Sequence, residues 1–338
     1  MREVESLIKG DPCLCINGKE YRGGKINHVP TILHNLLYPN LPPNPLPLHL
    51  PALSLGGKTI LITGGSSGLG LSIAKTFSLA SASEVILLSR SPSKLASASK
   101  VLTTSLSKSE SDTKTETKTK IHTYACDITD YARVKKVFKD ISNKTGKIDI
   151  LVSCAANSLR PIPVSDVKTE TLKETLDVLV LAAVNLLNVF IASAPLDPSN
   201  EKIFINLSSV AAHLTLPTMH GYGSAKAAFA MMLQHYDAEF GQTGKGLRVH
   251  NVHPGAVFTP GAEAYGATRE SMRWDEEGLC RGFILWLCAK GRFLRGRFVW
   301  ANWDVDELEG RKEEIENDAD VLRLGLVTGG LELFGRRA

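Results

Sequence analysis

Thr59-Ile60-Leu61-Ile62, followed at once by Thr63-Gly64-Gly65-Ser66-Ser67-Gly68-Leu69-Gly70, is the stretch on which the fold turns. The first four residues read as a buried strand, the glycines as a tight turn, and Leu71-Ser72-Ile73-Ala74 as the opening of a helix. A turn of this kind aims backbone N–H groups and a helix N-terminus at an anion, the usual way α/β proteins hold a dinucleotide pyrophosphate. The same residues contain Gly64-x-Ser66-x-Gly68, the pattern of a hydrolase nucleophile elbow, which is also a strand-turn-helix. The rest of the chain has to choose between these two chemistries.

The 338 residues allow one large domain or two smaller ones, and 43% hydrophobic with 22% charged residues is ordinary for a soluble globular protein. A net charge of +4, spread along the chain, does not point to nucleic acid. The densest basic patch (Lys290, Arg292, Arg295, Arg297) is interleaved with Gly291, Phe293, Leu294 and Gly296 and reads as a solvated loop ahead of a phosphate-contacting patch. Cysteines 13, 15, 126, 154, 280 and 288 lack the spacing of a disulfide framework or a zinc site. With no secretory pattern at the N-terminus, reduced thiols and a cytoplasmic location are expected. Val178 to Ala194 carries no charge, but Asn185 and Asn188 sit inside it. It reads as a buried helix in place of a membrane span.

Residues 1–56 form an expected N-terminal arm: seven prolines fall between Pro30 and Pro51, so regular helix or sheet is not expected there. Strand-like runs then appear at 58–63, 84–89, 121–125, 148–153, 202–207, 247–252 and 297–300, with helical periodicity at 68–82, 130–145, 167–193, 222–240 and 276–289. This alternation predicts a single α/β domain over 57–304, a doubly wound parallel sheet of about seven strands, followed by a helical tail over 305–338. The Ser/Thr/Lys/Glu tract from Ser105 to Lys120 reads as a disordered insertion ahead of the third strand.

About twenty residues after the glycine turn, a dinucleotide site shows the group that reads the adenosine ribose. Here the second strand ends Leu87-Leu88-Ser89-Arg90, offering an arginine where an acid would bind a ribose 2′-OH. An arginine suits a 2′-phosphate, which favours NADP over NAD. Further on, Tyr222-Gly223-Ser224-Ala225-Lys226 places a phenol and an ammonium on one face of a helix, with Ser208-Ser209 upstream at a strand end. A phenol of pKa about 10 is a poor acid–base group at neutral pH, and a neighbouring cation favours its ionised form. Ser209 is placed to hydrogen-bond a substrate oxygen beside it.

With these motifs in order, the chain from Lys58 to Trp303 resembles the short-chain dehydrogenase/reductase family, in a fungal branch by its proline-bearing arm and tail. The resemblance matches Thr63–Gly70 to the family's Thr-Gly-x-x-x-Gly-x-Gly, and Ser209, Tyr222 and Lys226 to its catalytic set. Asp127 matches an adenine-contacting Asp, and Pro254-Gly255 with Thr259 matches a segment that lies against the nicotinamide amide. It implies a cofactor site made of Gly64, Ser66, Ser67, Gly68, Leu69, Gly70, Ser89, Arg90, Asp127, Tyr222, Lys226, Val257 and Thr259, with no metal. The implied activity is NADP(H)-dependent interconversion of a small-molecule ketone and a secondary alcohol by a homodimer or homotetramer. The family's Asn-Asn-Ala-Gly is replaced by Ser153-Cys154-Ala155-Ala156, and its helix asparagine by Leu179, with Asn185 nearly two turns on. These departures leave an inactive NADP-binding interaction protein as the alternative. Under the hydrolase reading, Gly68-x-Gly70 and Arg90 have no role, so the nucleotide reading prevails. Substrate choice is expected from Tyr265, Met272 and Trp274, with His220 beside the site.

Overall fold

Ile60, Leu61 and Ile62 are wholly buried, as a strand covered on both faces must be. They belong to β1 (Thr59–Thr63), an inner strand of a seven-stranded, all-parallel sheet. A computed structural model describes residues 14–16, 19–21, 51–113, 119–156, 161–264, 266–271 and 274–326. In chain order the elements are α1 (Gly68–Leu79), β2 (Glu84–Ser89), α2 (Pro92–Thr113), β3 (Lys120–Ala125), α3 (Tyr131–Thr145) and β4 (Ile150–Ser153). There follow α4 (Thr169–Leu176), α5 (Ala182–Ala192), β5 (Lys202–Leu207), α6 (His220–Tyr236), β6 (Leu247–His253), α7 (Glu277–Lys290) and β7 (Phe298–Trp300). Two short helices, α8 (Val305–Gly310) and α9 (Lys312–Asn317), come after the last strand. The expected arm lies largely outside the described residues; within it, Leu14–Ile16 pairs antiparallel with Lys19–Tyr21.

The strand order is β3-β2-β1-β4-β5-β6-β7. Alternate residues of each strand face opposite layers. Ile60, Ile62, Val85 and Leu87 pack with Ile73 and Phe77 of α1, Leu95 and Leu102 of α2, and Phe283 to Cys288 of α7. Leu61, Ile86 and Leu88 pack with Val134 and Phe138 of α3, Leu186 and Phe190 of α5, and Phe229 and Leu233 of α6. The winding direction reverses between β1 and β4, where Thr63 pairs with Ser153, and a doubly wound sheet opens its ligand crevice beyond such strand ends.

Three local features differ from the sequence reading. The Ser105–Lys120 tract is not one disordered insertion: α2 runs to Thr113 and β3 begins at Lys120. Leu95, Ala98, Leu102 and Leu106 recur at helical spacing and are buried, while Thr103, Ser105 and Ser107 return their hydroxyls to the carbonyls four residues back. The basic patch is solvated only at Lys290 and Arg292. Arg297 is buried and donates to the carbonyls of Ile315, Asp318 and Ala319. Arg295 and Arg323 converge on the buried Asp237 at 3.1 and 2.7 Å. These residues bind the segment after α9 to the sheet edge. Finally, the single helix expected over 167–193 is α4 and α5 joined by a π turn, Asp177–Leu181, in which the Ala182 N–H reaches the Asp177 carbonyl. Its length and apolarity would let it cross a bilayer, yet it packs Ala182, Leu186, Leu187 and Phe190 against the sheet. Buried Lys202 caps its far end, donating to the carbonyls of Phe190, Ile191 and Ala194.

Candidate active site

The glycine turn is built by close approach of backbone to backbone. Gly64 has φ +67°, and a Cβ there would stand 3.0–3.1 Å from the main chain of Cys154 and Ala155. Gly68 is also left-handed, at φ +51°. A Cβ on Gly70 would press on the Gly64 carbonyl, so only glycine lets the first turn of α1 sit this close to β1. Thr63 completes the clamp: its Oγ1 accepts from the Cys154 and Ala155 N–H groups, each at 3.2 Å. Ser67 begins α1 with no side-chain cap, and no acidic residue stands in the first turn. Its orphan N–H groups and dipole therefore face outward, ready for an anion. Ser66 donates to the Ser89 hydroxyl at 2.8 Å, linking the turn to the end of β2. Arg90 follows, exposed. Asp127 accepts from Thr129 N and Oγ1 at 2.9 and 2.8 Å. Those hydrogen bonds, with the Arg90 charge nearby, hold its carboxyl below the ordinary aspartate range.

Across the crevice, Ser209 ends the β5 connection as the cap of a 3-10 turn, Val210–Ala212, and its Oγ accepts from Ala211 N at 3.2 Å. Tyr222 and Lys226 lie one turn apart on α6, with Lys226 Nζ 5.6 Å from the Tyr222 ring centre. Gly223 lets α6 approach this turn, since a Cβ there would meet the Ala211 backbone. Lys226 is buried and donates to the Leu207 carbonyl at 2.6 Å, tying α6 to the strand that delivers Ser209. Beyond β6, Gly255 at φ +86° lets Asp275 accept from Ala256 N at 2.7 Å, and Val257 pairs with Asp275. This brings Thr259 beside Gly68: a Cβ on that glycine would lie 3.7 Å from the Thr259 side chain. The fold thus gathers the glycine turn, Ser209, Tyr222, Lys226 and Thr259 around the strand ends at the switch point.

Residues 58–270 match the family described as short chain dehydrogenase. The chain belongs to that family. It is 36% identical over 272 residues to the short chain dehydrogenase/reductase AacuD of Aspergillus aculeatus, covering 80% of this chain and 89% of that one. It is 35% identical to a short chain dehydrogenase/reductase of Claviceps purpurea, covering 80% and 87%. These relatives place it in a fungal branch. Among solved structures, a 7α-hydroxysteroid dehydrogenase bound to NADH shares the fold with a TM-score of 0.62 at 22% identity, over 74% of this chain and 94% of that one. The Pseudomonas aeruginosa RhlG/NADP complex does so with 0.64 at 19%, over 74% and 97%. Members of the family are oxidoreductases of CH–OH and C=O groups that use nicotinamide cofactors. The outward-facing N–H groups of α1, the glycine cradle and the strand-end arginine fit such a dinucleotide.

The electrostatics of this short-chain dehydrogenase site are set by burial. Tyr222 is pushed up to about 12, against which a hydrogen bond with Ser209 acts. The lowering expected from Lys226 is outweighed: the ammonium is committed to Leu207, and burial holds Lys226 down at about 8. The phenol therefore keeps its proton at neutral pH and is a donor. Cys154, where the family places an asparagine, is a half-buried free thiol whose pKa desolvation pushes up to about 12. The tie that matters here is made by Thr63 to the backbone, which explains why Ser153–Ala156 preserves the crevice. Leu179 is buried within the π turn, and that turn packs on α6. Asn185 is half-buried in α5, four residues beyond the end of that turn.

Two parts of the site carried weaker sequence signals. His253 ends β6 buried, with Nδ1 accepting the Val210 N–H at 3.1 Å. Thr63 reads as the first residue of the glycine motif, with no role of its own until its hydroxyl is seen to bridge two strand ends. On the expected substrate side, the Trp274 ring stands 5.2 Å from Phe258, and the Arg269 guanidinium lies 4.8 Å from the Phe258 ring. Phe258, Glu263, Thr268 and Arg269 line a cavity of about 420 Å³. Tyr265 and Met272 lie outside the described residues. His220 opens α6 half-buried, and its Nδ1 has no hydrogen-bond partner among the described residues.

Proposed function

We propose that the chain is an NADP(H)-dependent oxidoreductase that interconverts a ketone and a secondary alcohol, with Tyr222 as the acid/base. The observation that carries this reading is the meeting of Ser209, Tyr222 and Lys226 at the strand ends facing the glycine turn. Gly64, Ser66, Ser67, Gly68, Leu69 and Gly70 would hold the pyrophosphate, Ser89 and Arg90 the 2′-phosphate, and Asp127 the adenine. Val257 and Thr259 would hold the nicotinamide amide, and Tyr222 and Lys226 its ribose. The cofactor, when bound, supplies or accepts the hydride.

The protein's own part is orientation and the proton. Ser209 Oγ accepts from Ala211 N, and its O–H, in hydrogen-bonding reach of the Tyr222 oxygen, would turn to the substrate oxygen once that atom lies between the two side chains. Tyr222 Oη, protonated at neutral pH, gives its proton to that oxygen as negative charge grows there, a contribution of about 10²–10⁴-fold. The Lys226 cation beside the phenol offsets the charge that the tyrosine would acquire. Exposed Leu181, Met231 and Met232 favour a covered face, which supports a homodimer or homotetramer. The test is cofactor oxidation with a panel of ketones, NADPH and NADH side by side. Turnover that favours NADPH is expected. Tight NADPH binding without turnover of any ketone would support the non-catalytic alternative.

A further inference from the structure

The turn that carries Ser209 is short, and its three N–H groups have different partners. Ala212 N bonds the Ser209 carbonyl at 2.9 Å and Ala211 N bonds the Ser209 hydroxyl at 3.2 Å, so both are local. Val210 N, the group next to Ser209, reaches out of the turn to His253 Nδ1 at 3.1 Å. His253 is itself fixed. It ends β6, its carbonyl accepts from Ala301 N at 2.8 Å, and its ring meets the edge of Trp300 at 4.6 Å. Trp300 in turn stacks on Trp303, and the same ring touches His213 at the end of the Ser209 turn. One strand earlier in contact terms, Ser208 N is bonded to Val252 O at 2.8 Å, so the β5–β6 ladder runs right up to the serine.

We propose that His253 is a positioning residue: by accepting the Val210 N–H it fixes the turn that aims the Ser209 hydroxyl at the substrate oxygen. The role requires a ring nitrogen that stays an acceptor. Burial, with His213 nearby, pushes the imidazole down to about 3, so the Nδ1 lone pair is available at neutral pH. A hydroxyl misplaced by about 1 Å loses much of its effect on an oxygen that is gaining charge. The proposal rests on the reading of Ser209 as the substrate-oxygen donor, and the experiment separates the two.

His253→Asn and His253→Gln are both amides, but the asparagine carbonyl sits near the place of Nδ1, whereas that of glutamine lies one bond farther out. Steady-state rates with NADPH and a turned-over ketone are compared for H253N, H253Q, S209A and S209A/H253Q. NADPH affinity is measured as a check on the fold. Hydrogen exchange of the peptide covering 208–213 is followed in each protein. H253N should stay within about threefold of wild-type kcat, while H253Q loses about 10–50-fold in kcat with KM little changed. In the S209A background the H253Q loss should shrink to about twofold or less, because the group being aimed is gone. Exchange at 208–213 should quicken in H253Q and not in H253N. Equal rates for the two amides, or a full H253Q loss in the S209A background, overturns the proposal. So does an H253N protein that binds NADPH and yet loses as much as expected for H253Q, which keeps the test decisive if H253Q does not fold. If the wild type turns over no ketone, the functional reading fails, and the exchange comparison alone decides whether His253 holds the turn.

Discussion

Gly70→Ala tests the cofactor cradle at the point where its geometry is tightest. The added Cβ would stand 2.9 Å from the Gly64 carbonyl carbon and 3.1 Å from Gly65 Cα. Carbons in contact sit about 3.5–4.0 Å apart, so the turn must retreat by roughly 0.6 Å or more. All the opposing atoms are backbone, which rules out relief by a side-chain rotation. Two effects on stability oppose each other. Alanine in the first turn of a helix gains about 0.5–1 kcal/mol over glycine, while forcing an extra methyl into packed backbone costs about 1–3 kcal/mol. The net expectation is a loss of about 1–2 kcal/mol, or about 3–6 °C in Tm for a domain of this size. Cofactor binding should suffer more than folding. The moved N–H groups are those aimed at the pyrophosphate, and each hydrogen bond to a charged group is worth about 1.5–3 kcal/mol. Loss of one corresponds to an NADPH Kd raised about 10–100-fold. A fluorescence titration of NADPH paired with a thermal melt reads both quantities. Binding within about threefold of wild type, with an unchanged melt, would refute the assignment of this turn as the cradle.

Further expectations follow from single contacts. Arg90→Ala should weaken NADPH by about 10–100-fold and leave NADH little changed, since only the former carries the phosphate a guanidinium would pair with; equal effects on both cofactors would remove the case for NADP. For carbonyl reduction, kcat/KM should fall as pH rises through about 8, where Lys226 loses the proton that makes it a cation, while Tyr222 stays protonated to about 12. A pH profile flat to pH 10 would contradict that order. Lys202→Met removes the donor to the carbonyls of Phe190, Ile191 and Ala194, and should destabilise the fold by about 2–4 kcal/mol in denaturant unfolding. An unchanged midpoint would mean that those carbonyls find other partners.

The sheet was legible because each strand is a short apolar run with a helix of clear period beside it. Ile60 to Ile62 and Phe204 to Leu207 have nowhere to go but a doubly covered interior. The gathering of Ser209, Tyr222 and Lys226 was legible too, since a helical i, i+4 pair and a strand-end serine meet once the sheet is parallel. Other features leave no local mark. Arg297 reads as one more exposed cation because its partners are main-chain carbonyls of residues 315–319, and carbonyls have no sequence. The later part of α2 hides behind serines and threonines whose hydroxyls bond to their own helix. The π turn at Asp177–Leu181 has the composition of ordinary helix. His253 sits on a strand end among other histidines, and only the packing of β6 beside the Ser209 turn singles it out.

In the proposed nicotinamide-dependent carbonyl reduction, Tyr222 delivers the proton. That role is tested most directly by the rate of NADPH oxidation by Tyr222→Phe against wild type on the same ketone, with NADPH affinity measured for both. A loss of at least about 10²-fold in kcat is expected, with NADPH affinity within a few-fold of wild type. A phenylalanine variant that turns over at the wild-type rate would contradict it.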